Sequence, residues 1–574
     1  MNAPLDPVRS PGAEEAYVFR HALLRDAAYQ LQLPGDRARL HALAFALIEG
    51  LCGGRAPEPT RLDSVEHRVF QPHPTDPFAE ELAGQARLAL KPGAGVAENA
   101  ADGSLRAAQR LYTRRAADHA ERHFQHDSSR RLWLEHADLV PDLEKGESLR
   151  RAAVMAFHAG QTGNAESLLC RALEIHRGAG NRRFEGVALG SLASLCRDTG
   201  RAQRAEQCYE QALAIHREFG DRRLEALAIG NLGMLCQDTG RMERAERMLE
   251  EALTLDRNAG DLRMEGIGLE RLGGLYQVTG RVGPARECIE KALAIHRETG
   301  NLRFEGIALG TRAILNHATG RAADAERDFG RSLEIHREIG DRPSEGRILG
   351  NLASVYLETG RTEQAEECHL AALAIHREFG NRRSEGISLG NMGSFYQETG
   401  RLEEAERRYG EALAIHREVG NRRHEGVILG NLGGLYATFE RLEEAERTCN
   451  GALAIHRELR NRQYEGIVLG DLAGICGRTG RAGQAVQFYE QALASHRQVG
   501  NRRFEGIHLC EYALFLWSSG QAGAAPEIWR TGAAILREIG DPGALDRATI
   551  EMRRSCARAG VPSFDEPPTG HPKT

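Results

Sequence analysis

Eight histidines stand in register along the chain, His176, His216, His296, His336, His376, His416, His456 and His496, spaced by 40 residues or by twice that. Imidazoles on a fixed spacing could store a transition metal or move protons. The separation decides between these chemistries and plain structure. If each histidine belongs to one helix of a stack, equivalent positions lie about 8–10 Å apart, whereas two ligands of one zinc ion each approach to about 2 Å. The ladder therefore reads as a part-buried histidine near a helix end. There the helix dipole favours imidazolium, and either charge state can hydrogen-bond to the next unit.

No HExxH, GxSxG, GxGxxG or calcium-loop pattern occurs, and the one His-Glu pair, His424 and Glu425, lacks the second histidine of a zinc protease. Eleven cysteines form no CxxC pair. Cys208, Cys288 and Cys368 share one repeat position, and Cys196, Cys236 and Cys476 another, as small apolar residues of a reducing compartment would. The expectation is a chain that is not an enzyme and carries no cofactor and no metal.

What positions these residues is a repeat. "ALAIHREFG" at Ala212–Gly220 recurs unchanged at Ala372–Gly380, and ten units of 40 residues run from Pro141 to Gly540. In the unit from Asn381 to Gly420, Leu389, Met392, Gly393 and Tyr396 fall at i, i+3, i+4, i+7, and Ala405, Tyr409, Ala412 and Leu413 at i, i+4, i+7, i+8. Two amphipathic helices, A and B, follow from that spacing. Every unit but one closes with glycine, Arg460 being the exception, and the next residue is always Asn or Asp. These are the stop of one helix and the cap of the next. A single hairpin cannot bury its apolar faces, so the units must stack. The fold class predicted is all-α, a right-handed superhelical solenoid of about ten helix-turn-helix repeats preceded by degenerate helical repeats.

The 75 Lys and Arg are interspersed with 81 Asp and Glu for a net charge of −6, which leaves no basic field for a nucleic acid backbone. No apolar run of spanning length and no signal-peptide core is present. A soluble, cytoplasmic protein without nucleic acid or membrane partners is expected.

The residues at Leu389, Met392, Gly393, Tyr396, Gly400, Ala405, Tyr409 and Ala412 resemble the tetratricopeptide signature over about 400 of the 574 residues. Two departures are a 40-residue unit, implying a longer second helix, and Arg417 where the family carries proline. The units look most like those of the spindle-orientation adaptor Pins and, less closely, of kinesin light chain. The resemblance implies an Asn on helix A that faces a concave groove and clamps the backbone of an extended peptide. Asn231, Asn351, Asn391 and Asn431 match, with Asp471 similar in shape, while Ser191, Arg271, Thr311 and Glu511 interrupt the series. Asn is a mediocre helix former, so something other than propensity favours it. Peptide binding does so, and so would hydrogen bonds between neighbouring A helices.

One turn further along helix A, Gln237, Gln277 and Gln397 precede a position occupied by Asp198, Asp238, Glu358 and Glu398. Carboxylates there would favour a basic ligand if they face the groove. Arg in the last turn of helix B in all ten units and Glu in the first turn of helix A in nine suit the helix dipoles and read as structure.

Tyr17–Leu33 and Arg37–Glu49 resemble the helical segment behind the nucleotide-binding module of bacterial signal-transduction ATPases, although no GxxxxGK[ST] loop occurs in this chain. The organisation expected is therefore an ATPase-like helical segment over 1–63, degenerate helices over 64–140, the array over 141–540, a capping helix over 541–560 and a disordered tail over 561–574. The function expected is a scaffold that binds an extended peptide. The alternative is a sensor arm that meets a nucleotide-binding signalling protein in trans.

Overall fold

The computed structural model describes residues 33–62, 64, 71–90, 100–521 and 523–565. Among the described residues there are helices and turns and no strand. The chain divides into two compact bodies, Met1–Ala152 and Ala153–Thr574. The second body thus begins within a helix, Asp142–His158, rather than at its start, where the repeat spacing places the first unit.

In the first body α1 (Pro34–Leu51) and the helices Ala79–Ala89, Ala100–Arg122 and His126–Ala137 pack around Leu82, Leu111, Tyr112 and Trp133. Arg115, buried there, donates to Asp76 at 2.7 Å and to the Gln71 carbonyl at 3.0 Å, which satisfies a charge that burial would otherwise penalise. The Tyr17–Leu33 stretch that carries the ATPase resemblance lies, but for Leu33, outside the described residues.

In the second body A and B helices alternate every 20 residues, as in Arg382–Glu398 and Leu402–Glu418. Both are 17 residues long, so the second helix is not the longer one. The side chain of Asn381 accepts from the Ser384 amide at 3.0 Å, and Asp221 and Asp341 cap their helices in the same way. At the other end the Asn181 amide donates to the His176 carbonyl at 2.8 Å, closing the turn through a left-handed glycine. Arg460 and Glu440 take the same turn with φ of 52° and 60°, which costs a side chain roughly 1 kcal/mol that glycine avoids.

The core is continuous from unit to unit. Leu389, Met392, Phe395 and Tyr396 pack on Ala405, Tyr409 and Ala412 of their own unit and on Ile428, Leu432 and Leu435 of the next. A Cβ on Gly393 would stand 2.6 Å from the Tyr409 ring, so this glycine is what lets A and B approach.

The histidine ladder is buried more deeply than a dipole-favoured imidazolium would be. From His216 to His496 each ring edge rests on a glycine of its own unit: a Cβ at Gly266, Gly386 or Gly466 would lie 2.5, 2.7 or 2.6 Å from the Cε1 atom of His296, His416 or His496. The ring faces meet the next unit, with His296 stacked on Phe304 at 5.5 Å and His456 on Tyr464 at 5.3 Å. Where the ladder breaks at Asp256, the facing glycine is replaced by Ala226. Burial outweighs the dipole: it pushes His376, His416, His456 and His496 down to about 4, and these imidazoles are neutral at pH 7. In His296 neither ring nitrogen has a hydrogen-bond partner among the described residues, so packing rather than hydrogen bonding holds it.

The arginine and glutamate ladders join directly. Arg177 donates to Glu185 at 2.7 Å, and the pair recurs in every unit junction through Arg497 and Glu505 at 2.8 Å. A second series, which links A–B turns to the previous B helix but is interrupted at Arg321, includes Arg241 with Glu206 and Arg481 with Glu446, both at 2.7 Å.

The array ends on a capping helix, Pro542–Ala559. The sequence reading begins a disordered tail at 561, but Phe564 is buried against Trp517, and its carbonyl accepts from Arg530 at 2.9 Å. One aromatic ring covering the exposed end of the core holds this stretch. Residues 566–574 lie outside the described residues.

Candidate binding groove

Successive A helices touch one another, whereas successive B helices make no comparable contact among the described residues. The A helices therefore form the crowded, inner side of the curve, and the ladder Ser191, Asn231, Arg271, Thr311, Asn351, Asn391, Asn431, Asp471 and Glu511 runs along it. Neighbouring A helices meet along it, since Arg271 donates to Asn231 Oδ1 at 3.1 Å and the Thr311 hydroxyl to Glu270, beside Arg271, at 3.1 Å.

The coil also returns on itself. Arg383 donates to the Asp198 carbonyl at 2.9 Å, and Arg423 to the Asp238 carboxylate at 2.9 Å, across 185 residues. Gly160, Gly200 and Gly240 supply the close approach, where a Cβ would stand 3.1 Å from the Arg382 nitrogen, 3.2 Å from Leu459 and 2.7 Å from Val499. The same arginine position elsewhere pairs with the Asp that caps the following unit, as Arg303 does with Asp341 at 3.4 Å and Arg503 with Asp541 at 2.7 Å. After Arg383 and Arg423 the caps are Asn421 and Asn461, which offer no charge, and the guanidinium reaches across the seam instead. Asp198 and Asp238, read from the sequence as carboxylates for a basic ligand, are thus engaged in closing the coil.

The remaining sequence-derived residues are distributed as follows. Asn351 is half-buried and Asn391 exposed, and neither side chain hydrogen-bonds within the protein among the described residues. The Tyr409 hydroxyl meets Ser394 at 3.0 Å and donates to Gln397 at 3.1 Å, and Asn431 is half-buried. Gln237 keeps its Oε1 buried without a hydrogen-bond partner among the described residues, and Gln277 is half-buried. Glu358 pairs with His317, while Glu398 is exposed. Asp471 is pushed up to about 7 by burial.

Two groove residues were not singled out from the sequence. Glu270 stands where seven other units carry glycine, and Arg347 where eight others carry Val, Leu or Ile. Departure from the chain's own consensus was the available signal. Burial pushes Glu270 up to about 7, opposed by the Thr311 hydroxyl and by the charges of Arg347 and Arg271. Among the described residues no three His, Cys, Asp or Glu are placed to hold a metal ion, and no helix is long and apolar enough to cross a membrane.

A family description of the tetratricopeptide repeat matches residues 144–218, 184–258, 304–378, 384–447 and 425–498, together more than half of the chain. The chain belongs to the tetratricopeptide repeat family. Solved structures similar to this tetratricopeptide chain include a Rap protein complexed with Competence and Sporulation Factor, at 14% identity over 58% of this chain and 99% of that one, with a TM-score of 0.39. The Rap conjugation gene regulator of plasmid pLS20, in complex with the Phr* peptide, is similar at 14% identity over 55% and 87%, with a TM-score of 0.41. BtubC from P. vanneervenii is similar at 20% identity over 38% and 89%, with a TM-score of 0.33. No curated protein matches the sequence.

Proposed function

We propose that this tetratricopeptide array is a non-enzymatic scaffold whose inner A-helix face binds an extended segment of another protein. The observation that carries the reading is the pair Asn351 and Asn391 on adjacent A helices, whose amides make no hydrogen bond among the described residues. A carboxamide both donates and accepts, which is what the alternating groups of an extended backbone require. The Tyr409 hydroxyl orients Gln397 on the helix that carries Asn391, and Asn431 continues the polar strip into the next unit. Eleven free cysteines, seven of them buried, suit work in a reducing compartment such as the cytoplasm.

The test is a pull-down from native lysate that compares the intact chain with one carrying Asn→Ala at 231, 351, 391 and 431, both shown to be helical by circular dichroism. A partner held by the first and lost by the second supports the groove. A partner held equally by both places binding elsewhere on the protein.

A further inference from the structure

We propose that the inner face takes a single extended chain, threaded in end first, so that the partner offers a free terminus and not a loop of a folded domain. This rests on the peptide-groove reading and adds the kind of segment that the groove admits.

The seam closes the side of the coil. Gly160, Gly200 and Gly240 lie in three successive turns between an A and a B helix, and a Cβ on them would stand 3.1, 3.5 and 3.7 Å from atoms of Arg382, Arg423 and Arg462. In each case the partner lies about five and a half units of 40 residues further along. The offset is constant, so this stretch is a coil whose consecutive turns touch rather than an arc that meets itself at one point. Side chains add to the contact: Arg383 lies 5.5 Å over the Phe157 ring, and Leu459 and Val499 pack against Gly200 and Gly240. The A helices line the inside of that coil, and along the seam a chain has no passage between the turns to reach them.

The same offset sets the bore. With A-helix axes about 10 Å apart, about five and a half of them form a ring roughly 18 Å across, and helices about 10 Å thick leave on the order of 8 Å inside. Paired extended strands need about 5 Å each in one direction and about 10 Å in the other. One chain fits where the lining side chains are small, and the two strands of an inserted loop do not.

The lining is cut back where the Asn rungs run. Three residues after Asn351, Asn391, Asn431 and Asp471 stand Ser354, Ser394, Gly434 and Gly474. A Cβ on Gly434 or Gly474 would meet nothing beyond its own helix within 4 Å among the described residues, so packing does not require glycine at either position. Glycine weakens a helix interior, and close approach of a ligand backbone is a reason to keep it there. Ser354 and Asn391 are exposed, so the protein's own side chains leave the track open. Four rungs about 10 Å apart span about 30 Å, the length of roughly nine extended residues.

The experiment captures entry covalently, so it needs no natural ligand. The full chain carries Asn391→Cys on the track and Gly410→Cys on the exposed face of the following helix as an internal reference. Peptide mapping by mass spectrometry reads both positions apart from the eleven native cysteines. The first probe is N-ethylmaleimide. The second is a flexible Gly-Ser peptide of about 40 residues, reaching at most about 140 Å, with a maleimide at its free end and a small folded domain at the other. The third has the maleimide at the midpoint of that peptide and a folded domain at both ends. The first two are expected to label both positions. The third is expected to label position 410 and to reach position 391 at least about tenfold more slowly than the second does. Arg383→Glu with Arg423→Glu, which sets like charges across the seam, is expected to restore labelling of position 391 by the third probe.

Equal rates at position 391 for the singly and doubly blocked probes overturn end-first entry, and if the lysate partner is still lost on Asn→Ala the groove reading survives. Labelling by N-ethylmaleimide but not by the singly blocked probe also overturns it, since the bore then admits no chain. Failure of N-ethylmaleimide itself at position 391 overturns the proposal together with the groove reading. A seam variant that is extended by solution scattering and still excludes the doubly blocked probe overturns the seam as the barrier.

Discussion

A single methyl group on Gly386 should weaken the repeat that carries it, although alanine is the better helix former. The added Cβ would lie 2.7 Å from Cε1 of His416, 3.0 Å from Nδ1 and 3.1 Å from Nε2. Carbon contacts settle at about 3.5–4.0 Å, so the ring must shift by most of an ångström. It has little room, because His416 is fully buried and its other face meets His424 at 5.2 Å. Gly→Ala inside a helix gains about 0.5–1 kcal/mol, while overpacking a filled core costs about 1–3 kcal/mol. The net expected is a loss of about 1 kcal/mol. Gly410, on the exposed face of the following helix, has nothing within 4 Å, and Gly410→Ala should realise the gain alone. The two substitutions should therefore differ by about 2 kcal/mol in opposite directions.

Because a repeat array opens unit by unit, the assay is hydrogen exchange of the amides in Arg382–Glu398 and Leu402–Glu418 rather than a global melt. The chain supplies the rescue, since Ala226 stands opposite Asp256 where Gly386 stands opposite His416. Adding His416→Asp to Gly386→Ala should recover part of the loss. Gly386→Ala protecting its helices as well as Gly410→Ala does would refute the packing argument.

Three further outcomes are expected. Arg383→Glu with Arg423→Glu sets like charges beside Asp198 and Asp238, so solution scattering should show a more extended particle with unchanged helical content; each native pair is part-exposed and worth about 1 kcal/mol or less, so the seam opens without unfolding. Unchanged dimensions would count against the seam. The rings of His376, His416, His456 and His496 titrate near 4 against about 6.5 unfolded, so the stability due to their neutrality is complete above pH 6.5 and is lost as pH falls through about 4. At pH 5 this is on the order of 2 kcal/mol per ring, and ring nitrogen shifts that move together near pH 6.5 in the folded chain would contradict it. Asp471 and Glu511 have the opposite sign, with folded values of about 7 and 8, raised above those of free carboxyls. Their ionisation costs stability as pH rises through those values, so Asp471→Asn with Glu511→Gln should protect the last three units at pH 9. No gain in exchange protection there would mean that the carboxylates are solvated.

The helices, their ends and their pairing could be read from the chain without its structure. Asn381 caps because its side chain reaches an amide three residues on, and Gly380 stops because only nearby backbone must turn. Those are short-range causes, repeated ten times, and the apolar spacing of Leu389, Met392 and Tyr396 states which face must be covered. The order of Asn and carboxylate rungs along helix A was equally legible.

What folding alone decided is where charge and burial fall. The spacing of His416 does not say that Gly386 lies against its ring, and so does not say that the ring is neutral. Nor does anything near Asp198 announce Arg383, 185 residues away. The pitch that joins them sums a small rotation at every unit interface, so the meeting depends on all the intervening packing at once. Position in the repeat can be read locally, whereas the seam exists only after about five and a half units have brought Gly160 onto Arg382.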